Sequence, residues 1–232
     1  LRRNIMSIAT EKTSTNGTGA IEVHSDSLAQ HVPELPIERM NLTVIGDHHY
    51  VSHAWSAKAR EWFGQQGAKR PKKKKEQRNP QAEMESALYY IDKKKNRYGI
   101  PSIAFKKAGV AVCGKNNPAD YISAKVARQA FFVLGDLVEI QSDPKVPTVR
   151  EDFVKIGGSS TDLRFRPQFD NWYTTLPIKY NTAVISPEQL VHIFNLAGFG
   201  VGVGENRPEK SGNCWGTFHV ASGAELKALE VK

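Results

Sequence analysis

The stretch Ser186-Pro-Glu-Gln-Leu190-Val-His-Ile-Phe-Asn-Leu-Ala197 runs into Gly198-Phe-Gly-Val-Gly-Val-Gly204, and a strand pattern, Cys214-Trp-Gly-Thr-Phe-His-Val220, comes after it. Ser186 is placed to cap a helix, Pro187 suits its first position, and Gln189 stands where a capping box needs it. Leu190, Ile193, Phe194 and Ala197 recur at i, i+3, i+4 and i+7, one apolar helix face. Gly198 stands where a left-handed C-terminal cap is expected. The glycines at 198, 200, 202 and 204 alternate. An extended segment would put them on one side and Phe199, Val201 and Val203 on the other, against the core. A dinucleotide fingerprint sets its glycines between a strand and the helix that follows. Here they follow a helix and precede a strand, which excludes a Rossmann phosphate loop. They instead permit close backbone approach by a sheet, another subunit or a polynucleotide.

Working outward, residues 40–46 read as a first strand. Residues 54–90 read as two helical arms around a basic run: Trp55, Ala59 and Trp62 lie before it, and Met84, Ala87, Leu88 and Ile91 after it. Pro101 or Ser102 opens a helix on which Ile103, Ala104, Lys107, Ala108 and Ala111 pack closely. Residues 118–129 read as a second short helix. Residues 130–140, β-branched and aromatic, form the strongest strand pattern. Residues 149–156 and 162–166 read as the arms of an excursion around Gly157-Gly158. Residues 172–180 are a further strand, in which Pro177 argues for an edge or a bulge. The main elements give βαββαβ, the ferredoxin-like order: an α+β fold with an antiparallel sheet and both helices on one face. It carries a long basic insertion after the first strand and a β-excursion between the second and third. The expected organisation is a tail at 1–38, one domain at 39–222 with insertion 54–97 and excursion 142–169, and a C-terminal tail at 223–232.

The net charge is +8, and the ten residues 69–78, with seven basic side chains and one acidic, hold +6 of it. Lys69, Arg70, Lys72, Lys73, Lys74, Lys75 and Arg78 therefore form an arm suited to polyanions, nucleic acid first. Lys106 and Lys107 add charge nearby. Cys113 and Cys214 lack metal spacing, which points to a reduced, cytoplasmic protein. No apolar run reaches the roughly 18 residues of a membrane span. His48, His49 and His53 lack the spacing of a metal-binding helix, so no metal or cofactor is implied. The aromatic signature of the common RNA-binding sheet modules is absent, so ordinary base stacking on the sheet is not expected.

The segment Tyr98-Gly-Ile-Pro101-Ser-Ile-Ala-Phe105-Lys-Lys-Ala is similar to the start of the first helix in the RAMP superfamily, the CRISPR-associated repeat-binding proteins. The glycine-rich segment between the second helix and the last strand resembles that superfamily's other hallmark. The insertion and excursion resemble the finger and thumb of its RNA-coating backbone subunits. The resemblance covers about residues 40–221 and extends to a bacteriophage-encoded relative. It implies binding of single-stranded RNA, in filaments built of copies of the chain, with other CRISPR-type or phage proteins as further partners.

The leading expectation is a non-catalytic subunit that coats single-stranded nucleic acid, RNA before DNA. The residues expected to meet the strand are the basic arm, Lys106, Lys107, Arg164, Arg166, the glycines Gly198, Gly200, Gly202 and Gly204, and Arg207. Two alternatives stand beside it. One is a metal-independent ribonuclease with His48 or His49 as general base. The other is a phage structural, inhibitory or single-stranded DNA-binding protein.

Overall fold

A computed structural model describes residues 34–54, 78–156 and 160–230. The chain divides into two units, Leu1–Leu35 and Pro36–Lys232. The first lies almost wholly outside the described residues; the second holds every strand and helix described.

Alternation builds the sheet. In β1 (Ile37–Gly46), Leu42 and Val44 are buried while Arg39 and Asn41 are exposed. In β9 (Tyr173–Asn181), Thr174, Leu176, Ile178 and Tyr180 are buried and the residues between them are not. These strands pair antiparallel over nine residues, from Ile37 opposite Asn181 to Ile45 opposite Tyr173. β10 (Phe218–Val220) pairs with the other edge of β1. β5 (Phe131–Val133) and β6 (Leu137–Gln141) both pair with the other edge of β9. Taken in chain order as strands one to four, the core therefore lies 4-1-3-2, the arrangement expected of βαββαβ.

Two helices cover the buried face. The capping box of α4 (Pro187–Gly200) forms: Gln189 N–H donates to Ser186 Oγ at 3.2 Å, and Ser186 N–H donates to Gln189 Oε1 at 3.0 Å. Leu190, Ile193, Phe194 and Ala197 are all fully buried. The three largest stabilise the fold by roughly 1.5–3 kcal/mol each relative to exposure. Beside it packs α2 (Ser102–Ala111) with Phe105 fully buried. Gly109 lets the two helices close up, since a Cβ there would sit 3.3 Å from Ile193 and 3.2 Å from Phe131.

Five features differ from expectation. The chain enters α2 from a strand not foreseen in the sequence, β4 (Arg97–Pro101), which pairs with β6 and, through β3 (Tyr90–Asp92), extends the sheet beyond the core. Tyr98 and Ile100 are both buried there. Of the two arms around the basic run, residues 55–77 lie outside the described residues, and the second is short, α1 (Pro80–Ser86). The strand expected over 130–140 is broken between β5 and β6, where Ser102 Oγ donates to Gly135 O and Ser102 N–H donates to Asp136 O at 3.0 Å. The helix start has captured the ladder's carbonyls. Pro177 faces that break, accepting a bond from Leu134 N–H at 2.8 Å, so β9 tolerates a proline although it is central and not an edge. The helix expected over 118–129 is shorter, α3 (Ala124–Ala130), because Ser123 caps it through Val126 N–H at 3.2 Å.

The excursion is a long hairpin, β7 (Thr148–Ile156) with β8 (Ser160–Phe169), joined by β2 (Tyr50–Val51) in a separate three-stranded sheet. Two further helices, α5 (Pro208–Ser211) and α6 (Gly223–Glu230), flank β10 in sequence. Among the described residues no helix is long and apolar enough to cross a membrane.

Candidate nucleic-acid interface

The glycine segment is not extended. Helix α4 continues through Gly198 and Gly200, and its last bonds run from Val201 and Gly202 N–H to Ala197 O at 3.0 and 2.9 Å. Gly198 is therefore no cap: it is bare because β10 crosses there, and a Cβ would collide with the Phe218 carbonyl. The left-handed turn comes later, at Gly202 (φ +68°) and Gly204 (φ +84°). Val201 and Val203 are buried as expected, whereas Phe199 is 84% exposed and faces solvent. A helix steps about 100° per residue, so Phe199 cannot share a face with the buried Ala197 and Gly198.

This turn forms one wall of a cleft of about 310 Å³. Ala104, Lys107 and Ala108 of α2 form another wall, and Arg207 and Lys210 stand at its side with Glu209. Arg207 donates to Glu209 Oε2 at 2.9 Å and to Gly204 O at 3.2 Å, which braces the turn. Lys107 and Lys210 have no ion-pair partner among the described residues. The cleft thus combines apolar lining with two ammonium groups that have no ion-pair partner among the described residues. The glycines do not bare main chain to it: a Cβ on Gly202 would stand 2.9 Å from Pro208 Cδ, and one on Gly204 2.7 Å from Tyr50 and the Val51 carbonyl, so their open sides pack within the chain, contrary to the expected ligand-facing role.

Lys107, Gly202, Gly204 and Arg207 line this cleft; of the other expected residues, those that the structure describes do not. Gly198 lies under β10, and Gly200 has no atom within 4 Å of where a Cβ would stand. Lys69, Arg70, Lys72, Lys73, Lys74 and Lys75 lie outside the described residues. Arg78 is engaged, with Asp162 at 3.0 Å, Glu83 at 3.2 Å and the Leu163 carbonyl. Arg164 leans on Asp162 at 3.6 Å. Arg166 is 4% exposed and pairs with Glu205 at 3.6 Å, so it is closed to any ligand. The hydrogen bond from His53, set against burial, and the Arg166 charge hold the Glu205 carboxyl below its usual range.

Lys106 is also a correction. It is 9% exposed, and its Nζ donates to Ala127 O at 2.7 Å and to Phe131 O, 3.6 Å above the Phe131 ring. Burial pushes its pKa down to about 8. Adjacent helix positions face different ways, so Lys106 turns inward to close the C-terminal end of α3 while Lys107 turns out.

The histidines divide likewise. His48 is exposed, and its carbonyl accepts a bond from the buried Trp172 indole at 2.8 Å. His49 packs on Trp215 at 4.9 Å, its Nε2 buried without a partner; burial, then the Arg150 charge, lowers its pKa. A ring nitrogen closed to solvent is not positioned to take a proton from a ribose hydroxyl. Among the described residues no group of three His, Cys, Asp or Glu is arranged to hold a metal. Lys210 is not among the residues expected from the sequence, although it stands three residues from Arg207 and a proline-started helix places both at one cleft.

No family model matches the sequence, and no curated protein matches it. Among solved structures, the chain is similar to Cmr6 from Pyrococcus furiosus, at 8% identity and a TM-score of 0.40, over 81% of this chain and all of that one.

Proposed function

We propose that this chain binds single-stranded nucleic acid without cleaving it, RNA in preference to DNA, and that copies of it array along the strand. The observation that carries this reading is the cleft between α2 and the Gly202–Gly204 turn, where Lys107 and Lys210 stand with no ion-pair partner among the described residues. Phosphate fits such a place, because the two ammonium groups neutralise it. The +6 charge of residues 69–78 supports a longer track for the same ligand. The resemblance to RAMP backbone subunits, read from the sequence, favours RNA and repeated subunits.

The test is a titration of fluorescein-labelled U20 by fluorescence anisotropy at several salt concentrations. The chain is expected to bind with a steep salt dependence. Replacing Lys107 and Lys210 together with glutamine is expected to make the slope of log K against log salt shallower by about 1.4, roughly 0.7 for each phosphate no longer neutralised. A chain that binds neither U20 nor dT20 refutes the reading.

A further inference from the structure

The face of the sheet away from α2 and α4 carries charge that the fold does not use. In β1 and β9, Arg39 lies directly opposite Lys179. In β9 and β5, Lys179 lies directly opposite Phe132. The neighbours of these residues, Ile178, Tyr180 and Phe131, are buried beneath the helices, so alternation sets Arg39, Lys179 and Phe132 in one row on the other face. With strands about 4.8 Å apart, the row spans roughly 10 Å, close to the reach of one nucleotide with its phosphate.

Three properties of the row point to a ligand. Like charges set directly opposite each other on neighbouring strands destabilise a sheet, and these two have no carboxylate partner among the described residues. Two acids of the same sheet are committed elsewhere: Glu38 accepts from Tyr180 Oη at 2.9 Å, on the other face, and Glu139 is held by Arg97 in two bonds of 2.7 and 2.5 Å. Phe132 is 50% exposed, with the Lys106 ammonium 5.2 Å from its ring centroid. Around the row lie Asn41, Thr43 and Thr175, small and polar, with the two threonine hydroxyls 3.0 Å apart. An anion between the two cations relieves their repulsion, and the ring beside it presents a π-face.

We propose that this open sheet face is a second binding surface for single-stranded nucleic acid, separate from the cleft, in which a base stacks on Phe132 and a phosphate lies between Arg39 and Lys179. The usual aromatic signature of stacking sheets is missing from the sequence. Here the aromatic is supplied from β5, next to a cation pair from β1 and β9. The inference rests on the nucleic-acid reading above but uses none of the cleft's residues.

The experiment titrates labelled U20 against the full chain and four variants: Phe132→Ala, Phe132→Leu, Phe132→Trp and the double Arg39→Gln/Lys179→Gln. Stacking predicts an affinity loss of about 10-fold for Ala and a comparable loss for Leu, with Trp restoring binding. The double variant is expected to reduce the salt slope by about 1.4. Ultraviolet crosslinking and peptide mapping are expected to join uridine to the peptide containing Phe132. Wild-type binding with unchanged affinity in Phe132→Ala overturns the sheet surface and leaves the cleft reading standing. Retained affinity in Phe132→Leu shows a merely apolar interaction and overturns stacking. A wild-type chain that does not bind U20 overturns both.

Discussion

The hairpin of β7 and β8 and the cleft beside α4 both carry cations, and they treat them in opposite ways. On and around the hairpin, Arg78, Arg150, Arg164 and Arg166 are each met by a carboxylate: Asp162, Asp152, Asp162 and Glu205. Arg150 lies in addition 3.9 Å over the Trp215 ring. At the cleft, Arg207 is likewise met by Glu209, but the lysines differ: Lys107 and Lys210 have no ion-pair partner among the described residues. The chemistry fits the division. A guanidinium's planar fork suits fixed pairs inside a structure, and an ammonium on a flexible stem suits a ligand that comes and goes. The proposed binding surface therefore rests on the cations left without a partner among the described residues, not on the number of positive residues.

The largest expected effect lies on the hairpin side. Arg166→Ala removes a buried guanidinium and its packing, leaving the half-buried Glu205 with His53 as its partner, and is expected to destabilise the fold by about 2 kcal/mol. A denaturant titration checks it, and loss of U20 affinity in a variant of unchanged stability would contradict the structural role. Lys106 gives a pH-dependent effect of similar size. Its folded pKa of about 8 lies below the ordinary 10.5, so the folded chain holds fewer protons than the unfolded one between those values. Its unfavourable contribution is full below pH 8 and is relieved as pH rises towards 10.5, by on the order of 2–3 kcal/mol. The stability of the wild type minus that of Lys106→Met is expected to rise across this window, and a flat difference would contradict it.

Gly202→Val sharpens the comparison from the cleft side. The residue has φ +68°, and a Cβ would stand 2.9 Å from Pro208 Cδ. Backbone strain of roughly 1–2 kcal/mol is expected, so melting temperature and binding should fall together. A stable Gly202→Val chain that no longer binds would mean that the glycine serves the ligand alone.

What the sequence made legible was local. The capping box at Ser186 and Gln189 and the apolar face of α4 lie within one or two turns, and the order of the main elements follows from such local signals. The packed face read for α2 was misplaced: Ile103, Lys107 and Ala111 are exposed, and Phe105, Lys106 and Gly109 are buried with Ala108. The β4 strand was not legible, because Gly99 and Pro101 resemble a loop until β6 pairs with them. The pairing of Arg166 with Glu205 joins residues far apart in sequence, brought together only when β8 is built. The split between Lys106 and Lys107 was within reach, since Lys106 stands beside Phe105 and three residues before Gly109, on the buried side. The row of Arg39, Lys179 and Phe132 needed strand registers that periodicity alone does not supply.

The direct test of the central claim sets two variants side by side in the U20 titration. One removes the unpaired cations, Lys107→Gln/Lys210→Gln, and the other removes paired ones, Arg78→Gln/Arg164→Gln. The lysine variant is expected to lose about 1.4 from the salt slope while its stability stays within about 0.5 kcal/mol of wild type. The arginine variant is expected to keep the wild-type slope. Equal loss of slope in both variants, or a loss confined to the arginines, would contradict the account.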